Sequence, residues 1–566
     1  MTSHSSLARR TAGSARVARL PRSLSVAVPL LAALLVGLLP VRAPQPAGPE
    51  AAAEAFSAGR AMEKVGVIAR EPHPAGSESH ERVRDYLLSE LESLGLQPEV
   101  QRTEAESIWE PGRRVSIDNI VTRIPGTDSG KAVLIMAHYD TVPGSPGAGD
   151  NAAAVAAMLE TARAVKASAP LRNDLLLLMT DGEEMGLQGA KAFVNEHPLA
   201  RNVGLALNFD ARGNMGPSFM FETSDRNGWL IREFVRAAPH PLAYSLIYNI
   251  YQMLPNDTDL SILLANGLPG MNFVFGLGLH AYHREIDTPD RLDRSSLQHH
   301  GSYMLSLARH FGQIKLEDRR EENRIYFNVL GRTMVSYPES GAVGLALLGA
   351  LLYAGTALRG IRRRRLTLGG IGAGFVLSLV GAALAYAVVA LVWPIARERV
   401  SAAHYTAMLE HPSVSTSYFL GLLALAAAVA VAWIRLSSRR LGAENLWAGT
   451  LLLWTLLSAG TAFCLPSGSY LIIWPLIFSL IGLNASLSKR GGTEGWVAAL
   501  SAAPAIALFA PVVYLAFVML TLERAEWLVP FGALAWTLAY PAFCRRPSSA
   551  SRAFRTRSNA KRIPGV

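Results

Sequence analysis

Hydrophobic positions along the chain fall into two regimes. Apart from one long stretch near the amino terminus, up to about residue 340 they come in short runs separated by polar segments, and beyond it they continue for roughly twenty residues at a time. The short runs at 133–137, 175–180, 203–207 and 271–275 have the length and bounding residues of buried strands. Between them, 152–165 and 186–195 carry helical spacing. This alternation predicts an α/β fold, a mixed sheet with helices on both faces. In such folds ligands gather at the carboxyl ends of the strands.

The long apolar stretches lie at 25–41, 342–358, 368–393, 417–434, 446–464, 470–487, 496–520 and 528–544. Each approaches the length that crosses a bilayer, so an all-α multispan transmembrane bundle is expected after the α/β domain. The implied organisation is a basic amino-terminal segment (1–23), an anchor (24–41), a linker (42–55), a catalytic-type domain (56–340), a seven-span region (341–544) and a basic tail (545–566). A cleaved signal peptide is the alternative to the anchor, with 41–43 as a loose cleavage site and Pro44 counting against it.

Basic residues order the spans. Arg9, Arg10, Arg16, Arg19 and Arg22 precede the first, Arg359 and Arg362 to Arg365 separate the second and third, and Arg435, Arg439 and Arg440 follow the fourth. Lys489 and Arg490 follow the sixth, and Arg545 and Arg546 the eighth. All fall on one side of the membrane if the amino terminus is cytoplasmic, which puts residues 43–340 outside the cytosol. That space is periplasmic for a bacterial inner membrane and lumenal for a eukaryotic endomembrane.

A hydrophobic content of 50% and a mean hydropathy of +0.22 agree with a membrane protein. The net charge of +10 is concentrated at span ends and in the tail, so a lipid bilayer, rather than nucleic acid, is the expected partner. Oligomeric state is not readable. Span centres lack Asp, Glu, Lys and Arg, which counts against a transporter. The two cysteines, Cys464 and Cys544, lie at span ends and leave no thiolate site in the first half.

The candidate chemistry sits just after the short runs: His138-Tyr-Asp140, Gly149-Asp150-Asn151, Asp181-Gly-Glu183-Glu184, Asn208-Phe-Asp210 and Tyr282-His283. Singly, each acid is an ordinary helix cap or loop charge. Together they bring histidine nitrogens and carboxylates to one sheet edge, a donor set that suits zinc in an open catalytic site. Two ions about 3.5–4 Å apart require a bridging carboxylate and hold a water between them. Asp150 takes the bridge because Gly147, Ala148 and Gly149 let the backbone bend toward the metals. His138 and Asp210 then complete one ion's shell, and Glu184 and His283 the other's, with His280 as an alternative to His283.

Glu183 is the expected general base, Asp140 the partner orienting the His138 imidazole, and Tyr282 a donor to the oxyanion. Asp257 or Asp259 is a candidate for recognising a free amine or for capping a helix, and Arg212 for contacting substrate or a ligand carboxylate. His299 and His300 are expected at the surface.

The order of these motifs, with Asp287-Thr-Pro-Asp290 after His283, resembles the co-catalytic dizinc exopeptidases related to bacterial leucyl aminopeptidase, glutamate carboxypeptidase and the transferrin receptor. The segment Glu71-Pro-His-Pro-Ala-Gly-Ser77, residues 83–87 and Asn208-Phe-Asp-Ala-Arg-Gly213 look like the branch typified by endoplasmic-reticulum metallopeptidase and vacuolar membrane protease. The resemblance implies two zinc ions on His138, Asp150, Glu184, Asp210 and His283, Glu183 as base, and peptide substrates. An aminopeptidase is expected. A carboxypeptidase or related amide hydrolase, or a non-catalytic receptor-like protein, is the alternative.

Overall fold

The computed structural model describes residues 22–128, 130–254, 256–316, 320–330, 333–488 and 495–544. The basic residues at 9–19, 489–490 and 545–562 lie outside them.

Seven strands form one mixed sheet: β1 (Glu99–Glu106), β2 (Arg114–Ile124), β3 (Ala132–His138), β4 (Leu175–Thr180), β5 (Val203–Ala211), β6 (Phe219–Thr223) and β7 (Gly270–Phe275). Their order is β1-β2-β4-β3-β5-β7-β6. The four expected strands are the parallel centre, β4-β3-β5-β7, and the antiparallel β2 and β6 flank them. A separate hairpin pairs β8 (Arg324–Val329) with β9 (Thr333–Pro338).

Helix α1 (Arg22–Leu38) precedes α2 (Ala58–Ile68) and α3 (Glu78–Ser93). The helices interleaved with the strands are α4 (Ala153–Lys166), α5 (Gln188–Glu196), α6 (Gly228–Ala237), α7 (Ser245–Tyr251), α8 (Asp259–Ala265) and α9 (Arg294–Gln313). Alternation along the strands gives the sheet two apolar faces. Val133, Ile135, Leu175 and Leu177 pack with α2, α3, α4 and α9. Leu134, Met136, Leu176 and Leu178 pack with α5 and α8. The expected linker is strapped to the domain: Arg60 donates to the carbonyls of Pro49, Ala51 and Ala55, and Arg163 to that of Ala53.

The bundle contains α10 (Ser340–Arg362), α11 (Leu368–Arg399), the short α12 (Ala402–Glu410), α13 (Pro412–Ser437), α14 (Ala443–Cys464), α15 (Tyr470–Ser488), α16 (Gly495–Leu520), α17 (Ala525–Thr537) and α18 (Tyr540–Phe543). Among the described residues seven helices, α1 included, are long and apolar enough to cross a membrane. The stretch 528–544, expected as one span, is divided between α17 and α18, with Pro530 inside the former. Thirteen residues of α17 rise about 20 Å, short of a hydrocarbon core of about 30 Å.

The sheet domain rests directly on this bundle. Phe219, Phe221, Tyr244, Ile247, Tyr251 and Phe327 belong to the same buried cluster as the bundle's Tyr470, Phe509 and Phe517. Phe327 stacks on Tyr470 with centroids 4.5 Å apart and planes 3° from parallel. Ser245 Oγ donates to the Ser467 carbonyl at 2.7 Å, in the turn between α14 and α15.

His299 and His300 correct one expectation. They are buried, because α9 is covered on both sides instead of lying open on one face. Ser218 Oγ is 2.8 Å from His300 Nδ1, and the His240 carbonyl 3.1 Å from His299 Nε2. Burial pulls both imidazoles down to about 3. The fold therefore holds fewer protons here than the unfolded chain, whose histidines titrate near 6.5, so stability rises with pH. It is fully present above about pH 6.5 and is lost as pH falls toward 3. The thermal midpoint is expected to drop below pH 6.5, and less steeply in His299→Leu; an equally steep drop in that variant would assign the acid sensitivity to other groups.

Candidate active site

The parallel strands deliver their chemistry to one edge. His138 is the last residue of β3, Asp210 lies at the end of β5, Glu183 and Glu184 follow β4, and His283 follows β7 after a glycine-rich turn. Asp150 comes from the loop leading into α4. Gly147, at φ 70°, turns that loop in a left-handed conformation suited to glycine. Gly149 lies so close to Gly213 that a Cβ there would meet the Gly213 carbonyl oxygen at 2.3 Å.

The distances divide the donors into two sets that share one residue. His138 Nε2 is 3.2 Å from Asp150 Oδ1 and 3.5 Å from Asp210 Oδ1. His283 Nε2 is 3.2 Å from Asp150 Oδ2 and 3.0 Å from Glu184 Oε1. Asp150 thus turns one oxygen to each histidine. Ligand atoms of His138, Asp150 and Glu184 lie within 4.8 Å of one another, close enough to hold a common ion. His283 is held at φ 58°, a conformation uncommon outside glycine. Its Nε2 is buried without a well-directed hydrogen bond, although carboxylates face it. An orphaned donor nitrogen amid carboxylates fits a divalent ion. His280 faces a different cavity, beside Thr416 and Tyr514.

Charge crowding dominates the electrostatics. Burial and the neighbouring acids push Glu183 well above the usual carboxylate range and Glu184 up to about 7. Burial pulls against the His138 imidazolium, yet Glu183, Asp140, Asp150 and Asp210 raise it well above its ordinary value. Burial likewise opposes the His283 imidazolium, but Asp150 and Glu184 bring it up to about 10. Asp150 lies below the usual range because the two histidines outweigh its burial.

Asp140 touches both His138 and the turn after β4. Its backbone carbonyl is 3.1 Å from His138 Nδ1 and its carboxylate 3.5 Å. The same carboxylate accepts the amides of Glu183 and Glu184 at 3.1 and 3.2 Å, clasping the turn after β4. Asp181 plays a separate part, accepting the Asp118 amide at 2.7 Å and facing His80 Nε2 at 2.9 Å. Tyr282 stacks on His283 with centroids 3.7 Å apart and lines the cavity.

Sequence reasoning left Asp287 without a role. Its carboxylate accepts the Gly149 amide at 2.9 Å and the Asp150 amide at 3.1 Å, and so sets the loop that aims Asp150. Burial pushes this group up to about 7. The signal was its place in Asp287-Thr-Pro-Asp290, but its partners are 137 and 138 residues away. Asp259 is buried against Thr180 Oγ1, whereas the exposed Asp257 lines the cavity and accepts from the Thr258 amide at 3.0 Å. Arg212 meets no ligand carboxylate; Nη1 donates to the Met519 carbonyl at 3.0 Å, and Nε has no partner among the described residues.

Residues 119–308, which contain most of this cluster, match the model of Peptidase family M28. It is 29% identical over 313 residues to endoplasmic reticulum metallopeptidase 1 of Mus musculus, covering 51% of this chain and 35% of the relative. It is 31% identical over 271 residues to vacuolar membrane protease of Candida albicans (strain WO-1), covering 47% and 31%. The chain spans about a third of the length of these curated relatives. Similar solved structures include an aminopeptidase from Aneurinibacillus sp. strain AM-1, at TM-score 0.39 and 14% identity over 48% of this chain and 99% of that one. Porphyromonas gingivalis glutaminyl cyclase has TM-score 0.37 and 19% identity over 44% and 96%.

Asp287→Asn, which keeps the shape but weakens one amide contact, is expected to lower the affinity of the cluster for a divalent ion about 10–100-fold. Chelator competition measures it; unchanged affinity would show that the Asp150 loop is held by other contacts.

Proposed function

We propose that this chain is a membrane-anchored, zinc-dependent aminopeptidase that hydrolyses peptide bonds on the non-cytosolic side of its membrane. The reading rests on one observation above all, the two oxygens of Asp150 facing His138 and His283 respectively. His138, Asp150 and Asp210 would hold one zinc ion, and His283, Asp150 and Glu184 a second. Bound there, the ions supply Lewis acidity that acidifies water and polarises the scissile carbonyl.

The chain's own residues do the rest. Glu183 lines the cavity beside the ligands, buried and of raised basicity, and takes the proton of the attacking water and passes it to the leaving amine. Asp140 keeps Glu183 and Glu184 in place through their amides, and Tyr282 offers its hydroxyl to the oxyanion. A carboxypeptidase is the second reading, favoured by the unpaired Nε of Arg212 in the same cavity, a cation suited to a terminal carboxylate.

The full-length protein is expected to copurify with zinc and to cleave peptides with free but not acetylated amino termini. Glu183→Gln retains the metal and loses about 10²–10⁴-fold in kcat. A zinc-free, inert protein would refute the hydrolase reading, and cleavage blocked by carboxyl-terminal amidation alone would move it to a carboxypeptidase.

The sidedness is supported by the bundle ends that meet the domain. The α14–α15 turn and the end of α16 touch it, and both lie at the opposite end of the spans from Arg359, Arg362 and Arg435. In right-side-out membrane vesicles, an impermeant thiol reagent is expected to modify a cysteine placed at the exposed Met253 of a Cys464→Ser protein. Modification only after the vesicles are opened would place the domain in the cytosol.

A further inference from the structure

The cavity beside the metal-type ligands, about 520 Å³, is lined in part by residues from the helical bundle. Val518 and Met519, in the last turn of α16, line it together with Glu183, Glu184 and Asp210. Phe219 and Phe221 of β6, Tyr251 of α7 and Val274 of β7 also line it, so the cavity offers apolar side chains beside its acids and beside Arg212 and Asp257. Phe221 meets Tyr251 edge to face at 4.7 Å, which fixes this wall in place.

The end of α16 is latched to the sheet domain. A helix leaves its last carbonyls without internal partners, and a cation near them is favourable. Arg212, just past β5, donates from Nη1 to the Met519 carbonyl at 3.0 Å. Its guanidinium lies 5.9 Å over the ring of Tyr282, so one side chain joins the helix end to the residue beside His283. Val518 Cγ1 lies within van der Waals reach of Gly276, where a Cβ would stand 3.8 Å from it, so the helix end packs against the turn after β7.

We infer that the carboxyl-terminal turn of α16 is a wall of the substrate pocket, and that Val518 and Met519 select substrates with a large apolar side chain next to the scissile bond. This rests on the proposed hydrolase reading for its chemistry, but the pocket is defined by packing alone. Arg212 acts as a positioning residue, holding the wall through the Met519 carbonyl. Specificity is thereby written partly in the membrane bundle, outside the M28 match at residues 119–308.

The test uses the full-length protein in detergent and peptides that differ only in carrying Leu or Ala at the residue flanking the cleaved bond. Val518→Trp and Met519→Trp fill the pocket and are expected to lower the Leu-to-Ala ratio of kcat/KM by about tenfold or more, the range that apolar pockets discriminate. Met519→Ala enlarges it and is expected to shift preference from Leu toward Phe, a readout that stands if the Trp variants do not fold. Ratios unchanged in folded, zinc-loaded variants would overturn the inference, as would an equal loss on every substrate.

A second readout is independent of turnover. In a Cys464→Ser, Cys544→Ser background, Met519→Cys is expected to react with a maleimide several-fold more slowly in the presence of a non-cleavable leucyl peptide than of its glycyl counterpart. Equal rates would overturn the pocket. Protection by the leucyl peptide in a protein that cleaves nothing would uphold the pocket while refuting the hydrolase reading.

Discussion

The structure is organised around a repulsion. Asp140, Asp150, Glu183, Glu184 and Asp210 converge in a largely buried space, with His138 and His283 as the bases among them. Taking ionised carboxylates out of water is costly unless each is paired or hydrogen-bonded. The cluster persists because the acids are held at defined distances and their charge is met by groups that the fold supplies. Strand ends provide the positions, and two carboxylates clasp backbone amides, Asp140 on the turn after β4 and Asp287 on the loop before α4. A site so unbalanced in charge is built to receive cations.

The parallel centre of the sheet was readable from the sequence because its strands are buried on both faces and read as continuous apolar runs. The flanking strands were not. In β1 exposed and half-buried positions mix charged and polar residues, and β2 is buried at positions such as Asp118, Asn119 and Thr122 whose polarity hides a strand. The hairpin β8–β9 is short and interrupted by polar residues for the same reason.

For the site, the residues that carry metal-type side chains announced themselves by type and by position after apolar runs. Those that act through backbone amides, such as Asp287, did not, since an amide contact leaves no trace in composition. His299 and His300 were misread because a polar residue on a long helix ordinarily marks its exposed face, whereas α9 is enclosed on both sides. The stretch 528–544 reads as one apolar run because average hydropathy does not register the two-residue break between α17 and α18.

Arg212 and Met519 are 307 residues apart, yet they meet at the edge of the cavity. A ribosome working at about 5–20 residues per second needs roughly 15–60 s to cover that interval. His283, the last residue of the cluster, is made early in that interval, while Val518 and Met519 come only at its close. The sheet domain therefore precedes, in order of synthesis, the helix turn that lines its cavity, and Val518 and Met519 reach that cavity only once α16 has packed against the domain. The cavity is thus assembled from two parts of the chain that are made well apart in time.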